Sequence, residues 1–179
     1  MMGVFTELVN RRESCRNFAP KPVENEKLRV MVETARLAPS ACNSQPWNFL
    51  VVNNPELSRK LAKCTQGMGM NQFTDNCPAF IVVSEYKANL SAKLGGLVKE
   101  QQYAQIDIGI AAAHLCFAAL EQGLSTCILG WFNEEKIKEL FSLPKDKRIR
   151  LVVAVGYAEN GQLRPKRRKD LDEIAAFLT

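Results

Sequence analysis

The sequence predicts a single domain of the α+β class. Its 179 residues are enough for one domain with a sizeable core, and a content of 46% hydrophobic and 24% charged residues is typical of a globular protein. Helix-like and strand-like segments are mixed along the chain without the strict alternation of a βαβ protein. No repeat, low-complexity tract or linker divides the chain, so we expect one domain over residues 1–179.

The first half of the chain is predicted to contain three helices and two strands. Val4–Arg12 carries a short apolar stripe, and Glu24–Ala38 has apolar residues at i, i+3, i+4 and i+7, so both segments are predicted to be helices. A strand at Asn48–Val52 and a helix at Leu57–Cys64 follow. The run Ala79–Tyr86 is apolar and β-branched throughout, which predicts a central strand that is buried on both faces.

The second half of the chain is predicted to contain three helices and two strands, of which one long helix and one valine-rich strand are the clearest. The long helix is apolar nearly all round from Ile106 onward, so it must be buried on most sides, within the domain or against a second subunit. Gly123 is predicted as its C′ residue, and Asn133 as the N-cap of the next helix. In order, this half is predicted to contain helix Gln101–Gln122, strand Ser125–Leu129, helix Glu134–Phe141, strand Ile149–Tyr157 and helix Leu171–Leu178.

Composition also limits the location and the chemistry. No signal-peptide pattern is found, and the longest nearly uncharged apolar run, Ile108–Leu120, is too short for a bilayer span, so we expect a cytoplasmic protein with no membrane partner. The six cysteines form no CxxC pair and the chain has a single histidine, His114, so we expect buried, reduced cysteines and no metal site. On its apolar helix, His114 is expected to be a hydrogen-bonded core or interface residue.

The segment Pro39–Trp47 is the strongest candidate for a ligand-binding loop. Its two prolines restrict the backbone on either side of a run of small polar residues. Ser40, Asn43, Ser44 and Gln45 are thereby displayed as donors and acceptors at fixed positions. An ordinary helix-to-strand connection is the alternative, but the length and density of the polar run favour a ligand site.

Two clusters of basic residues are candidate phosphate-binding groups. Arg12-x-Ser14-x-Arg16 places two guanidinium groups and a hydroxyl within five residues. The second cluster consists of Arg164, Lys166, Arg167, Arg168 and Lys169. Taken alone, each is more typical of a solvated helix end or tail, but folded together they could bind one phosphate. The net charge of +5 is modest and aromatic residues are not interleaved with the basic ones, so no nucleic-acid partner is expected.

The usual catalytic and nucleotide-binding motifs are missing. No GxGxxG follows a strand, and neither GxxxxGK[ST] nor GxSxG occurs. No pair of acidic residues suggests acid–base catalysis, so no catalytic side chain is predicted. A ligand loop and phosphate-binding candidates without a nucleophile or metal site are expected when a bound cofactor carries the chemistry.

Four ordered segments together resemble the nitroreductase family of FMN-dependent oxidoreductases. They are Arg12–Phe18, Ala38–Trp47, Gly123–Gly130 and Pro165–Arg168. The resemblance implies an α+β nitroreductase-like fold with a mixed, mainly antiparallel sheet flanked by helices. It also implies an interlocked homodimer with FMN at the subunit interface, in which the helix containing His114 forms the dimer contact.

The resemblance also implies which residues bind the cofactor. Arg12, Ser14, Arg16, Lys166 and Arg168 would hold the phosphate and ribityl chain of FMN. Asn71 would bond the polar edge of the isoalloxazine ring, and backbone amides around Ile128, Leu129 and Gly130 would lie near its N5 and O4. The residues that would line the flavin from the other subunit are Pro39, Ser40, Ala41, Asn43 and Gln45.

The implied mechanism is ping-pong. NADH or NADPH delivers hydride to flavin N5, leaves, and is replaced by a nitroaromatic, quinone or related small-molecule acceptor. An alternative with the same fold is a flavin-binding or redox-sensing protein with little turnover, in which Cys42 modulates the site. Two features depart from the family pattern: Glu13 replaces a commonly basic residue and is expected to face solvent, and Lys87–Tyr103 is short, which implies an open acceptor pocket.

Overall fold

One four-stranded sheet organises the chain. The computed structural model describes residues 3–86, 101–161 and 163–178. The sheet has the order β1-β2-β4-β3, and all three neighbouring pairs are antiparallel. The strands are β1 (Trp47–Val52), β2 (Ala79–Glu85), β3 (Ser125–Leu129) and β4 (Arg148–Gly156). Strands β1 and β3 are therefore at opposite edges of the sheet.

Helices cover both faces of this sheet. They are α1 (Val4–Arg11), α2 (Asn25–Ala35), α3 (Pro55–Thr65), α4 (Tyr103–Glu121), α5 (Glu134–Leu140) and α6 (Leu171–Ile174), and short 3₁₀ turns occur at Ala41–Asn43 and Gln72–Asn76. One core cluster joins α2 and α4 to the sheet, and a second joins α3 and α5 to its other face. This arrangement agrees with the predicted α+β class.

The two-sided burial explains the uniform apolar sequence of β2. Ile81 and Val83 belong to the cluster with α2 and α4, whereas Phe80 and Val82 belong to the cluster with α3 and α5. All four side chains are at most 1% exposed. Because neither face of β2 meets water, its sequence has no polar alternation, as predicted for a central strand.

The end of α4 and the start of α5 agree with the sequence prediction. Gly123 has φ 74° and its N–H donates to Leu120 O, while the N–H of Leu124 donates to Ala119 O. These two bonds form a Schellman motif, which requires the left-handed residue that glycine provides. At α5, the side chain of Asn133 accepts the backbone N–H of Lys136 at 3.0 Å.

Helix α2 is one turn shorter than predicted. The expected segment ran to Ala38, but the helix ends at Ala35. Leu37 and Ala38 instead donate to Thr34 O and Ala35 O in a tighter turn. Pro39 is the cause, because the residue before a proline is pushed toward an extended backbone and the helix must end before it.

The C-terminal helix is also shorter than predicted, spanning Leu171–Ile174 instead of Leu171–Leu178. Asp170 and Glu173 form a capping box at its start. Phe177 is 71% exposed and Leu178 is 99% exposed, so neither side chain is buried against the described part of the chain in a way that would extend the helix. A short helix without tertiary packing is marginal in water.

Helix α4 is buried on one side only. Ala111, Leu115 and Ala118 are in the core, whereas Ile106 is 52% exposed. Within the described residues, α4 is the one helix long and apolar enough to cross a membrane by length and composition. A core helix passes the same test, so this is weak evidence for a membrane segment. The uncharged run is still Ile108–Leu120, and the helix is longer than this run because Asp107 does not interrupt it.

Candidate functional site

The outer edge of β3 is the first part of the candidate site. Ser14 forms a parallel bridge with Thr126, and the N–H of Cys15 donates to Thr126 O at 2.9 Å. The carbonyl of Thr126 therefore points away from β4. Because backbone groups two residues apart along a strand face the same edge, the N–H and C=O of Ile128 point outward as well. In the described part of the chain, no strand pairs with this edge at Ile128.

At this edge of β3, the groups accessible to a ligand are mainly the backbone groups of Ile128, Leu129 and Gly130. Leu129 is buried in the core at 3% exposure, whereas Ile128 is 43% exposed. A Cβ added to Gly130 would meet no atom within 4 Å, so open space adjoins the end of the strand. A planar group could therefore approach the backbone closely here.

Arg12 and Arg16 lie near the start of the same strand. Burial raises the pKa of the Cys116 thiol, and the nearby guanidinium of Arg12 acts in the opposite direction. Burial also raises the pKa of the Cys127 thiol, and Arg16 opposes that shift. Among the residues that the structure describes, neither guanidinium has a hydrogen-bond or ion-pair partner. Both are thus available to an anion.

A cavity of about 280 Å³ with both polar and apolar walls lies beside Arg12 and Glu13. Ser125 and Thr126 at the start of β3, and Tyr157 and Asn160 after β4, contribute to its walls. The cavity is open to solvent and large enough for a phosphate-sized anion. Its position next to Arg12 makes it part of the candidate anion site.

The basic C-terminal segment folds against the Arg12–Arg16 segment. Lys166 donates from Nζ to Asn10 O, and Arg164 donates to the carboxylate of Glu13 and to Ser14 O. Arg168 donates to Arg167 O at 2.7 Å and has no described contact with residues 10–16. The expectation that Glu13 faces solvent was wrong: its side chain is 21% exposed and is paired with Arg164.

Asn71 lies near the other end of β3. It adopts a left-handed backbone with φ 57°, and its Nδ2 donates to Thr65 O at 3.0 Å and to Trp131 O at 3.1 Å. Trp131 is two residues beyond the end of β3. The amide of Asn71 is therefore held beside Gly130 by backbone acceptors on both sides.

The loop between Pro39 and Trp47 is strained and tightly tied. Cys42, Asn43 and Gln45 have φ values of 51°, 49° and 46°, in the left-handed region that non-glycine residues rarely adopt. Ser40 Oγ accepts the N–H of Gln45 at 3.0 Å. The side chain of Gln45 donates to Asn43 Oδ1 at 3.1 Å. Strain of this kind persists where the surroundings impose it, which is frequent at ligand sites.

Asp107 anchors this loop, a role that the sequence analysis missed. Its buried carboxylate, 5% exposed, accepts the N–H of Ala41 at 3.1 Å through Oδ2. An isolated acid between Ile106 and Ile108 in an apolar helix was the available signal. The sequence analysis placed Arg164 in a candidate phosphate-binding cluster, but not its pairing with Glu13, and it did not predict the bond from Asn71 to Trp131. Both contacts depend on tertiary structure.

The predicted site residues fall into two groups on opposite edges of the sheet. Arg12, Ser14, Arg16, Lys166, Asn71 and residues 128–130 lie along β3, whereas Pro39, Ser40, Ala41, Asn43 and Gln45 precede β1. The two edge strands are three spacings, or about 14 Å, apart across the sheet. The sheet therefore separates the two groups within one chain.

An exposed apolar face lies on α4 beside α1. It is lined by Phe5, Ile106, Gly109, Ile110, Ala113, His114 and Phe117, with Thr34 at its border, and encloses about 560 Å³. The rings of Phe5 and Phe117 pack with centroids 5.2 Å apart. His114 Nδ1 lies 2.9 Å from Ile110 O, so this histidine is engaged with its own helix.

Five of the six cysteines are buried, as predicted, and Cys42 is exposed. Burial raises the pKa of Cys77 to about 12, despite sulfur contacts with the carbonyls of Ala79 and Val155. The described residues contain no cluster of three or more histidine, cysteine or acidic side chains suited to a metal ion.

Comparison with known proteins identifies the family. The model of the Nitroreductase family matches residues 9–68 and 65–157. The chain belongs to this family. Among relatives of the nitroreductase chain, iodotyrosine deiodinase 1 of Pongo abelii is 27% identical over 97% of this chain and 68% of its own length.

Solved structures confirm the nitroreductase fold. The nitroreductase family protein of Streptococcus pneumoniae TIGR4 is 28% identical, with a TM-score of 0.83 over 97% of this chain and 99% of that one. The FMN-dependent nitroreductase of Clostridium difficile R20291 is 26% identical, with a TM-score of 0.72 over 95% of this chain and 96% of that one. The predicted family and α+β fold are thus confirmed.

Proposed function

We propose that this nitroreductase-family chain is an FMN-dependent oxidoreductase. The observation that carries the proposal is the arrangement along the outer edge of β3. Two guanidinium groups without a described partner, Arg12 and Arg16, lie at its start, and the Asn71 amide lies at its end. Between them the backbone of Ile128 faces outward. Guanidinium groups suit a phosphate, and outward backbone groups with an amide suit the heteroatom edge of a flavin ring.

In this proposal each part of FMN has its own set of residues. Arg12, Ser14, Arg16, Lys166 and Arg168 hold the phosphate and ribityl chain. Asn71 and the backbone of Ile128, Leu129 and Gly130 contact the ring. When bound, FMN supplies two-electron hydride chemistry. The chain would bind and orient the cofactor. Backbone N–H donors along the outer edge of β3 would stabilise negative charge on the reduced flavin without having to reorganise.

A second copy of the chain completes the site. Two chains are supported by the sheet order, which puts one group of residues at the opposite edge from Arg12 and Asn71. That group consists of Pro39, Ser40, Ala41, Asn43 and Gln45. A homodimer built on the apolar face of α4 would place the loop of one subunit at the β3 edge of the other. The size and apolar character of that face support burial in an interface.

The proposed donor is NADH or NADPH, and the proposed acceptors are nitroaromatic, quinone or related small molecules. The proposed location is the cytoplasm, in keeping with a nicotinamide donor. Family membership supports this reaction class, and the open space beside Gly130 supports access by planar molecules. The segment Lys87–Tyr103, which was expected to leave the acceptor pocket open, lies largely outside the described residues.

The cofactor proposal is tested by purification and anaerobic reduction. Purified protein should be yellow, or become so with added FMN, with absorbance at about 450 nm. Mixing with NADH or NADPH in a stopped-flow instrument should bleach this band, and an acceptor should restore it. Colourless protein that FMN cannot reconstitute would contradict the proposal.

The same experiment separates the alternative of a flavin-binding or redox-sensing protein. A binder with little turnover would hold FMN but bleach slowly with both nucleotides. If Cys42 modulates such a site, alkylation of this exposed thiol should change the flavin spectrum. Rapid bleaching and reoxidation, unchanged after alkylation, would favour the enzyme.

A further inference from the structure

The acidic residue Glu13 lies within the proposed phosphate-binding segment, between Arg12 and Ser14. An uncompensated carboxylate here would repel a phosphate dianion. In the structure it is compensated, because Glu13 Oε2 accepts both the backbone N–H and the Nε–H of Arg164 at 3.2 Å. One acidic side chain thus fixes the backbone and the guanidinium of the same basic residue.

Arg164 also bonds directly to the segment that contains Ser14. Its Nη2 donates to Ser14 O, so the guanidinium bridges the Glu13 carboxylate and the Ser14 carbonyl. Arginine has five side-chain N–H donors, and these contacts use two of them. The remaining N–H donors of Arg164 lie beside the Glu13–Ser14 segment. The Arg164 side chain is 56% exposed, so a ligand can reach these donors.

Electrostatic effects on nearby thiols place Arg164 in the same neighbourhood as Arg16. Burial raises the pKa of Cys127, and both Arg16 and Arg164 oppose that shift. Burial likewise raises the pKa of Cys15, where Glu13 adds to the rise and Arg164 opposes it. Arg164 is therefore close to the start of β3, where the anion site was placed on other grounds.

We infer that Arg164 is a phosphate-binding residue of the flavin site and that Glu13 is the positioning residue that holds it there. The inference rests on the proposed function and extends it, since it explains how the site would distinguish FMN from riboflavin. Held in a fixed orientation, a guanidinium loses less side-chain entropy when it binds a phosphate oxygen. Riboflavin has no phosphate and gains nothing from this arrangement.

The test compares FMN and riboflavin affinities in Glu13 and Arg164 variants. Titrations of the apoprotein follow the quenching of flavin fluorescence. Glu13→Ala and Arg164→Ala should each weaken FMN binding by about 10-fold, the size of one charge-assisted hydrogen bond, and leave riboflavin binding unchanged. Glu13→Gln keeps an acceptor oxygen and should stay within about threefold of wild type. The double variant should resemble Arg164→Ala, because Glu13 acts through Arg164.

Arg36→Ala is the matched control, since Arg36 forms an exposed ion pair with Glu33 on α2, away from the β3 edge. It should change neither affinity. Riboflavin binding also reports whether each variant keeps a folded site. If the variants lose both flavins equally, Glu13 and Arg164 are structural and the inference is overturned.

The sign of the Glu13 effect is decisive. If Glu13 merely repels the phosphate, both Glu13→Ala and Glu13→Gln should tighten FMN binding, and the positioning role is overturned. If the wild-type protein binds FMN and every variant binds it equally well, the inference is overturned but the proposed function is not. Wild-type protein that binds neither flavin overturns the proposed function, and the inference with it.

Discussion

Hydrogen bonds from single residues hold the Pro39–Trp47 loop in its strained form. The contribution of Asp107 can be measured by replacing this one residue. Its buried carboxylate accepts the N–H of Ala41, next to three residues with positive φ. Without that bond the loop has one fewer restraint against relaxing to ordinary backbone angles, which are favoured by about 1–2 kcal/mol per residue.

Replacement of Asp107 should therefore destabilise the chain and disturb the loop. Asp107→Ala is expected to lower the free energy of unfolding by about 1–3 kcal/mol, because it leaves the Ala41 N–H without its acceptor. Asp107→Asn retains an oxygen acceptor and should lose less. Urea denaturation measures both variants. Equal stability of Asp107→Ala and wild type would show that the bond does not restrain the loop.

At the scale of elements, Glu134 connects α5 to β4. Its side chain is 14% exposed, accepts the N–H of Ile149 at 2.8 Å, and pairs with Lys138 and Arg148. Burial raises the pKa of Glu134, but these three partners outweigh burial and lower it overall. Since the folded pKa is below the unfolded value, the ionised carboxylate stabilises the fold above the unfolded pKa, about 4.3.

The contribution of Glu134 should thus disappear in acid. At pH 7, Glu134→Gln is expected to be less stable than wild type by about 1–2 kcal/mol. The difference should shrink as the pH falls through the lowered folded pKa, because the wild-type carboxylate then becomes protonated. Denaturation curves across this pH range provide the measurement. Glu56→Gln, at an exposed ion pair with Lys60, is the control and should change stability little. A pH-independent difference at Glu134 would contradict the assignment.

At the scale of the whole molecule, the sheet order places the two groups of site residues at opposite edges, which favours the proposed second chain if both groups contact one flavin. We expect the dimer contact on the apolar face of α4. Ala113→Glu would place a large charged side chain in that face, and burying it without a partner is costly. The variant should be monomeric by light scattering and should bind FMN at least about 10-fold more weakly.

Val51→Glu is the matched control for this experiment. Val51 is 40% exposed on β1 and does not line the α4 face. It should remain dimeric and keep its flavin. If Ala113→Glu stays dimeric, the contact lies elsewhere. If it becomes monomeric and keeps FMN affinity, the site is complete within one chain.

Local sequence was sufficient for most of the fold and for the choice of candidate residues. Helical spacing, the β-branched run of β2, the Gly123 cap and the two prolines act over a few residues, so their consequences can be predicted without the fold. The same holds for the Pro39–Trp47 loop and for Arg12-x-Ser14-x-Arg16, whose residue types and spacing suit a ligand in any fold that exposes them.

Contacts between distant segments depended on the tertiary structure. The pairing of Glu13 with Arg164, the bond from Asn71 to Trp131 and the anchoring of Ala41 by Asp107 join residues 60 or more positions apart. Such pairs follow from strand order and helix packing, which local patterns do not specify. The separation of the two site groups has the same cause, since strand order placed β1 and β3 at opposite edges. Burial and long-range pairing, more than residue type, decided which candidates lie together.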